Sequence, residues 1–252
     1  MDGTYPPLNT LKPVAEGVWL VDGPVIQFGP RFLKMPFPTR MTIVRLSDGS
    51  LFVHSPTPLT DALKKEVDAI GTPRFIISPT RIHYWWIPEW KTAFPDADVY
   101  LAPRVLEEAR GRIDFPTKPL VPEDAGQGDA SYPWSTELDT LSIAGSYLTE
   151  VEFFHRPSRT LVLADLIESF EPQNLSSWRF RLLVRIGGVR APGAMPRDMR
   201  LTFKKPGLRR AVEAMIAWNP ERVIIAHGRW FPEQGARELA RAFHWLLATP
   251  SA

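Results

Sequence analysis

Short runs of β-branched and leucine residues, bounded by glycine, proline and polar turns, recur along the chain and alternate with segments of helical period. Val14–Val21, Met41–Leu46 and Leu51–Val53 have the composition of three early strands, the last two joined by the turn Ser47-Asp48-Gly49-Ser50. Thr60 can cap a helix that carries Leu63, Val67 and Ile70 on one face and stops at Gly71. Arg74–Ile77 follows as a strand and Trp85–Phe94 as a helix, in which Pro88 fits only the first turn. Ala97–Leu101 reads as a strand, Arg104–Arg112 as a short helix, and Ile113–Pro133, dense in Pro, Gly and Asp, as an exposed loop. Leu138–Ile143, Glu150–Phe154 and Thr160–Leu163 are further strands, the last two a hairpin across Arg156-Pro157-Ser158-Arg159. A basic connection leads to a helix over Leu208–Trp218, a strand at Arg222–Ile225 and a last helix at Pro232–Leu247. No repeat of fixed period and no linker interrupts this order, so residues 1–252 read as one domain. Strands that both meander and alternate with helices predict an α/β chain whose sheets carry helices on their outer faces.

Three polar residues stand at matching points in that pattern. His83, Asp165 and His227 each follow an apolar strand run: Phe75-Ile76-Ile77, Leu161-Val162-Leu163 and Val223-Ile224-Ile225. Ligand and catalytic groups of sheet-based folds cluster where the chain leaves the sheet at the carboxyl ends of strands. Residues far apart in sequence can therefore meet in one cleft.

Composition narrows the chemistry. There is no cysteine, which removes disulfides, thiolate metal ligands and cysteine nucleophiles together. With no signal-peptide pattern in Met1–Pro13 and no apolar window of membrane-spanning length, a cytoplasmic protein is expected. The net charge of +2 argues against general polyanion binding, but it hides an asymmetry. Trp178–Arg210 holds ten Lys or Arg against one acid, Asp198. That stretch is the only basic candidate for a membrane or nucleic-acid surface. It is read first as a solvated connection whose Arg stems cover apolar surface, so neither partner is expected. Ser55 and Ser158 lack a Gly-x-Ser-x-Gly setting, and Ile186-Gly187-Gly188-Val189 lacks the spacing and Lys of a phosphate loop.

At this point the chain resembles the metallo-β-lactamase fold superfamily, a four-layer αββα sandwich. Its strand leading to Thr-His-x-His-x-Asp-His is matched by Ser78-Pro79-Thr80-Arg81-Ile82-His83-Tyr84, followed by "AFPDADVYLAPR" at the expected distance. Its later Pro-Gly-His, Gly-Asp and Gly-His motifs fall on Ala144-Gly145-Ser146, Ala164-Asp165 and Ala226-His227. "TRMTIVRL", "VHSPTPL", "EVEFFHRPSRTLVLADL" and "IIAHG" resemble more closely an uncharacterised branch. The resemblance implies that the first metal position is lost, because Pro79, Arg81 and Ser146 stand where histidines belong. It implies a second position reduced to His83, Asp165 and His227, able to hold one Zn, Fe or Mn ion. Tyr84 could complete that shell. His54, where an Asp commonly ends the corresponding strand, could orient a ligand by a hydrogen bond. Arg81 could hold an anionic group of a small-molecule ligand. Trp85 and Trp86 could wall the pocket, whereas His155 and His244 read as structural.

Two readings stay open. One is a mononuclear metal-dependent hydrolase with Asp165, His83, Arg81, Tyr84 and His54 at its centre and His83, Asp165 and His227 as ligands. The other is a non-catalytic binding or scaffold protein that kept the fold without a metal, with His227 merely bonded to Asp165.

Overall fold

The computed structural model describes residues 3–29, 34–121 and 131–248. Two sheets carry the fold. Seven strands lie in sequence order in the first: β1 (Lys12–Ala15), β2 (Val18–Phe28), β3 (Met35–Arg45), β4 (Ser50–His54), β5 (Thr72–Ser78), β6 (Asp98–Leu101) and β7 (Lys118–Pro119). The second holds β8 (Leu138–Ala144), β9 (Thr149–His155), β10 (Thr160–Val162) and β11 (Arg222–Ile224), arranged β11-β10-β9-β8. Between β4 and β5 runs helix α1 (Asp61–Ile70), and α2 (Ile87–Ala93) and α3 (Val105–Ala109) flank β6. After β10 come α4 (Trp178–Gly187) and α5 (Lys205–Ala217), and after β11 come α6 (Gly235–Ala242) and α7 (His244–Leu247).

Alternation along the second sheet explains the layering. Val151 and Phe153 of β9, Val162 of β10 and Ile224 of β11 turn inward and join the core of the first sheet. Phe52 and Phe153 meet across the gap with ring centroids 4.9 Å apart. Their neighbours Phe154, Leu161 and Val223 turn outward under Leu208, Val212 and Met215 of α5. One face of each strand thus packs on the other sheet and the opposite face on helices, giving the αββα sandwich.

Local chemistry fixes the element ends. Thr60 accepts the N–H of Leu63 at the start of α1, and Gly71 closes that helix. Pro88 sits in the first turn of α2.

Five expectations are corrected. The strand expected at Val14–Val21 is broken into β1 and β2 at Gly17, whose φ of +69° suits a tight reversal. β2 and β3 run further than their apolar runs suggested, because Pro24, Pro36 and Pro38 made these segments look unfit for a sheet. A bulge between Asp22 and Val25 accommodates Pro24, and the ribbon continues through Ile26↔Phe37 and Phe28↔Met35. The basic connection contains α4, started by Ser177, which accepts the N–H of Phe180. The last helix divides at Phe243 into α6 and α7. The loop expected at Ile113–Pro133 holds β7, and its residues 122–130 lie outside the described ones.

Candidate metal centre

Strand register brings the candidate residues together. β10 and β11 pair in parallel with Val162 opposite Ile224. Asp165 and His227 lie equally far beyond that pair and leave the sheet side by side. β4 and β5 are also parallel, with His54 opposite Ile77, so Ser55 and the loop after Ser78 emerge at the same end of the sandwich. His83 comes from that loop. The ligand atoms of His83, Asp165 and His227 all lie within 4.8 Å of one another.

Asp165 is the hub. Its Oδ1 stands 3.1 Å from Nε2 of His83 and 3.1 Å from Nε2 of His227. Thr80 donates its hydroxyl to Oδ2 at 3.1 Å. Burial pushes the Asp165 carboxyl toward the neutral form, but the charge of His83 and hydrogen bonds from both imidazoles outweigh it. The group is held well below the usual carboxylate range.

The outer ring nitrogens are fixed as well. Nδ1 of His227 lies 2.7 Å from the Pro38 carbonyl, and Nδ1 of His83 lies 2.6 Å from Ser55 Oγ. A carbonyl only accepts, so Nδ1 of His227 carries the proton. In neutral His227, Nε2 is then a bare lone pair facing a carboxylate oxygen at 3.1 Å. Two acceptors in that position repel unless a proton or a cation stands between them. Backbone or hydroxyl groups on the far nitrogen are also what orients metal-binding histidines. Donors about 2.0–2.2 Å from one ion lie roughly 3–4 Å apart, a spacing compatible with this cluster. The donor set fits one divalent ion.

Other expected contributors lie elsewhere. The Tyr84 hydroxyl donates to the Glu108 carbonyl at 3.0 Å, away from the cluster. Arg81 pairs with Glu108 and donates to the Tyr147 carbonyl, which leaves it outside the cavity wall. His54 is buried with Nε2 unpartnered, so the orienting hydrogen bond expected of it is made by its neighbour Ser55. Ser55 adopts a φ of +53°, an uncommon backbone state for a non-glycine residue. His155 bonds Ser158 at 2.7 Å, in keeping with a structural role.

The sequence did not point to Thr80, to the Pro38 carbonyl or to Glu150. Oε1 of Glu150 accepts the N–H groups of Ala164, Asp165 and Leu166 at 2.7, 2.9 and 3.1 Å, and so clamps the turn that carries Asp165. Burial and the nearby charge of Asp165 push its carboxyl up to about 8. The alternation of Glu150 and Glu152 with Val151 and Phe153 was the available sign, since it puts two acids on one face of a strand.

His83, Asp165 and His227 line the floor of a cavity of about 630 Å³. Its walls are largely apolar: Ile26 and Phe28 of β2, Phe37 of β3, Trp85 and Trp86, and Phe180 of α4. Phe37 stands edge-on to the His227 ring, with centroids 5.3 Å apart. Glu168 also lines the cavity, and burial pushes its carboxyl up.

A family model described as "Domain of unknown function (DUF4336)" matches residues 26–177. The chain belongs to that family. Comparison with curated proteins finds no match. Among solved structures, this DUF4336 chain is similar to a metallo-β-lactamase from Hirschia baltica at 15% identity and a TM-score of 0.59, over 96% of this chain and 98% of that one. It is similar to one from Pontibacter korlensis at 10% and 0.56, over 95% and 99%. FIM-1 from Pseudomonas aeruginosa, solved in a mono-zinc form, gives 10% and 0.56 over 95% of each chain. At these identities the likeness establishes the metallo-β-lactamase fold.

Proposed function

We propose that the chain is a mononuclear metal-dependent hydrolase acting on a molecule with an apolar body. The observation that carries the metal is the placement of His227: its Nδ1 is committed to the Pro38 carbonyl, which turns Nε2 toward the Asp165 carboxylate and the His83 imidazole. One ion held by His83, Asp165 and His227 supplies a Lewis acid for a carbonyl or phosphoryl oxygen and acidifies water. The mono-zinc form of FIM-1 supports a single-ion reading on this fold.

The chain's own residues do the remaining work. Ser55 and Pro38 orient the two imidazoles, and Thr80 together with the Glu150 clamp fixes the carboxylate. The apolar walls hold the substrate's body and exclude water from the floor. Glu168, with its carboxyl shifted toward the protonated form, stands at the wall as a proton source. Because Arg81 is paired with Glu108, the anionic group expected on the ligand has no cation from that residue to meet.

Metal analysis and zinc titration test this reading. One ion per chain is expected, with affinity falling about 10–100-fold or more in His227→Gln and Asp165→Asn. Hydrolysis of carboxylic esters should require the ion and should rise in kcat/KM as the acyl chain lengthens. Failure to bind Zn, Fe or Mn after reconstitution, with no difference between parent and Asp165→Asn, would defeat it. That outcome would favour the second reading, a metal-free binding protein, which the replacement of three ligand histidines by Pro79, Arg81 and Ser146 supports.

A further inference from the structure

Helix α4 is apolar on two sides. Its inner side is accounted for: Phe180 and Val184 pack with Phe170, Leu175 and Val189. Its outer side is not. Trp178, Leu182 and Ile186 follow one another at four-residue spacing and are 68%, 47% and 58% exposed. On a helix these three form one stripe. Arg179 borders the stripe on one side, Arg181 and Arg185 on the other, and all three are exposed. Nearby in sequence, Leu201 is 88% exposed, among Arg197, Arg200, Lys204 and Lys205. A water-facing helix side normally carries polar residues, so an exposed apolar stripe of this size marks a contact.

We propose that α4 docks the protein onto an anionic lipid bilayer surface. An apolar stripe containing Trp and bordered by arginines is the pattern of a helix lying in the membrane interface, with its apolar side chains in the acyl boundary and its guanidinium groups among the phosphates. The helix has only ten residues, and no helix among the described residues is long and apolar enough to cross a membrane. It lies on the surface. Charge selects this occupant over others. A symmetric contact between two copies would set Arg179, Arg181 and Arg185 against their own counterparts. A nucleic acid would answer the arginines but leave Trp178, Leu182 and Ile186 against phosphate and water. A bilayer with anionic headgroups answers both.

Docking also gives the cavity an apolar supply. Ile186 belongs at once to the exposed stripe and to the cavity wall, and Tyr147, 42% exposed, lies on that wall too. A membrane-dissolved molecule would reach the cavity beside α4 without crossing bulk water. The inference stands on this surface alone and survives a failure of metal binding.

Vesicle co-sedimentation of the full chain tests it, comparing phosphatidylcholine alone with phosphatidylcholine containing about 30% phosphatidylglycerol. Binding is expected only to the anionic vesicles, weakening at least about ten-fold between roughly 0.05 and 0.5 M salt. Leu182→Glu/Ile186→Glu should weaken it about ten-fold or more, and so should Arg179→Glu/Arg185→Glu, with melting temperature and circular dichroism unchanged in both. No binding at low salt, equal binding to neutral vesicles, or binding unaffected by either double variant would overturn the proposal. So would a solution dimer that Leu182→Glu/Ile186→Glu dissociates.

Discussion

Two buried titratable side chains give the molecule opposite pH dependences. His54 is fully enclosed with its Nε2 unpartnered, and burial, reinforced by the charge of His83, lowers it from 6.5 to about 3. The unfolded chain takes up this proton and the folded one does not. The stability tied to a neutral His54 is therefore complete above about pH 6.5 and lost as pH falls toward about 3. His54→Leu should remove this loss, and urea titrations at about pH 7 and pH 4 should show a gain at the lower value of roughly 2–4 kcal/mol relative to the parent. His155, also lowered by burial, contributes with the same sign in both proteins, so the difference isolates His54. Glu152 runs the other way. Neither of its oxygens has a partner, and burial followed by the charge of Glu150 raises it well above the usual carboxylate range. A raised acid stabilises below its unfolded value and loses that contribution as pH rises. Glu152→Gln should leave the melting temperature unchanged near pH 5 and raise it at pH 9. Equal melting curves at pH 9 would show that Glu152 ionises freely in the fold.

Elements were legible where one principle governed them and obscure where two competed. α1 and α2 could be read from a cap, a periodic face and a first-turn proline, and the structure shows those same devices. The far halves of β2 and β3 could not, since three prolines argued locally against strands that pairing and cavity packing sustain. α4 was obscured by the charge of its surroundings: the ten basic residues of Trp178–Arg210, three of them in the helix, drew attention away from Phe180 and Val184, whose spacing marks a buried face. His83, Asp165 and His227 were legible because each follows an apolar run, whereas their supports come from strands whose proximity only the fold reveals. Gly228 belongs with those supports. Its φ is +92°, and a Cβ there would stand 2.0 Å from the Ser169 carbonyl oxygen. The Ser169 N–H meanwhile donates to the His227 carbonyl at 3.1 Å. Gly228→Ala must therefore part the segments that place His227, at a cost of about 2–4 kcal/mol. A thermal melt checks the stability. Zinc titration of the folded variant should show weaker binding, because the displaced residue adjoins a ligand.

At the scale of the whole molecule, the two sheets are tied together beneath the site by one buried cation. Arg40 of β3 donates through Nε and Nη2 to Asp22 Oδ1, and through Nη1 to the carbonyls of Ile225 and Gly228 at 2.7 and 2.8 Å. The first sheet thereby holds the segment that carries His227, and the Pro38 carbonyl that orients the same imidazole lies two residues from Arg40 on the same strand. Arg40→Met keeps the apolar stem but leaves Asp22 with Lys12 alone and two buried carbonyls without donors. Breaking a buried pair from one side costs about 3–5 kcal/mol, and the orphaned carbonyls point to the upper part of that range. Adding Asp22→Asn should recover part of the loss, because it removes the unbalanced charge. It cannot recover all of it, since the Ile225 and Gly228 carbonyls stay unbonded. Chemical denaturation of the parent, both single variants and the double variant separates these terms as a cycle. The functional consequence is measured independently by zinc affinity, which should drop in Arg40→Met and remain low in the double variant, because the strut to Gly228 is missing in both. Parent-like zinc affinity in Arg40→Met would mean that the Pro38 carbonyl alone positions His227 and that the strut serves only to join the sheets.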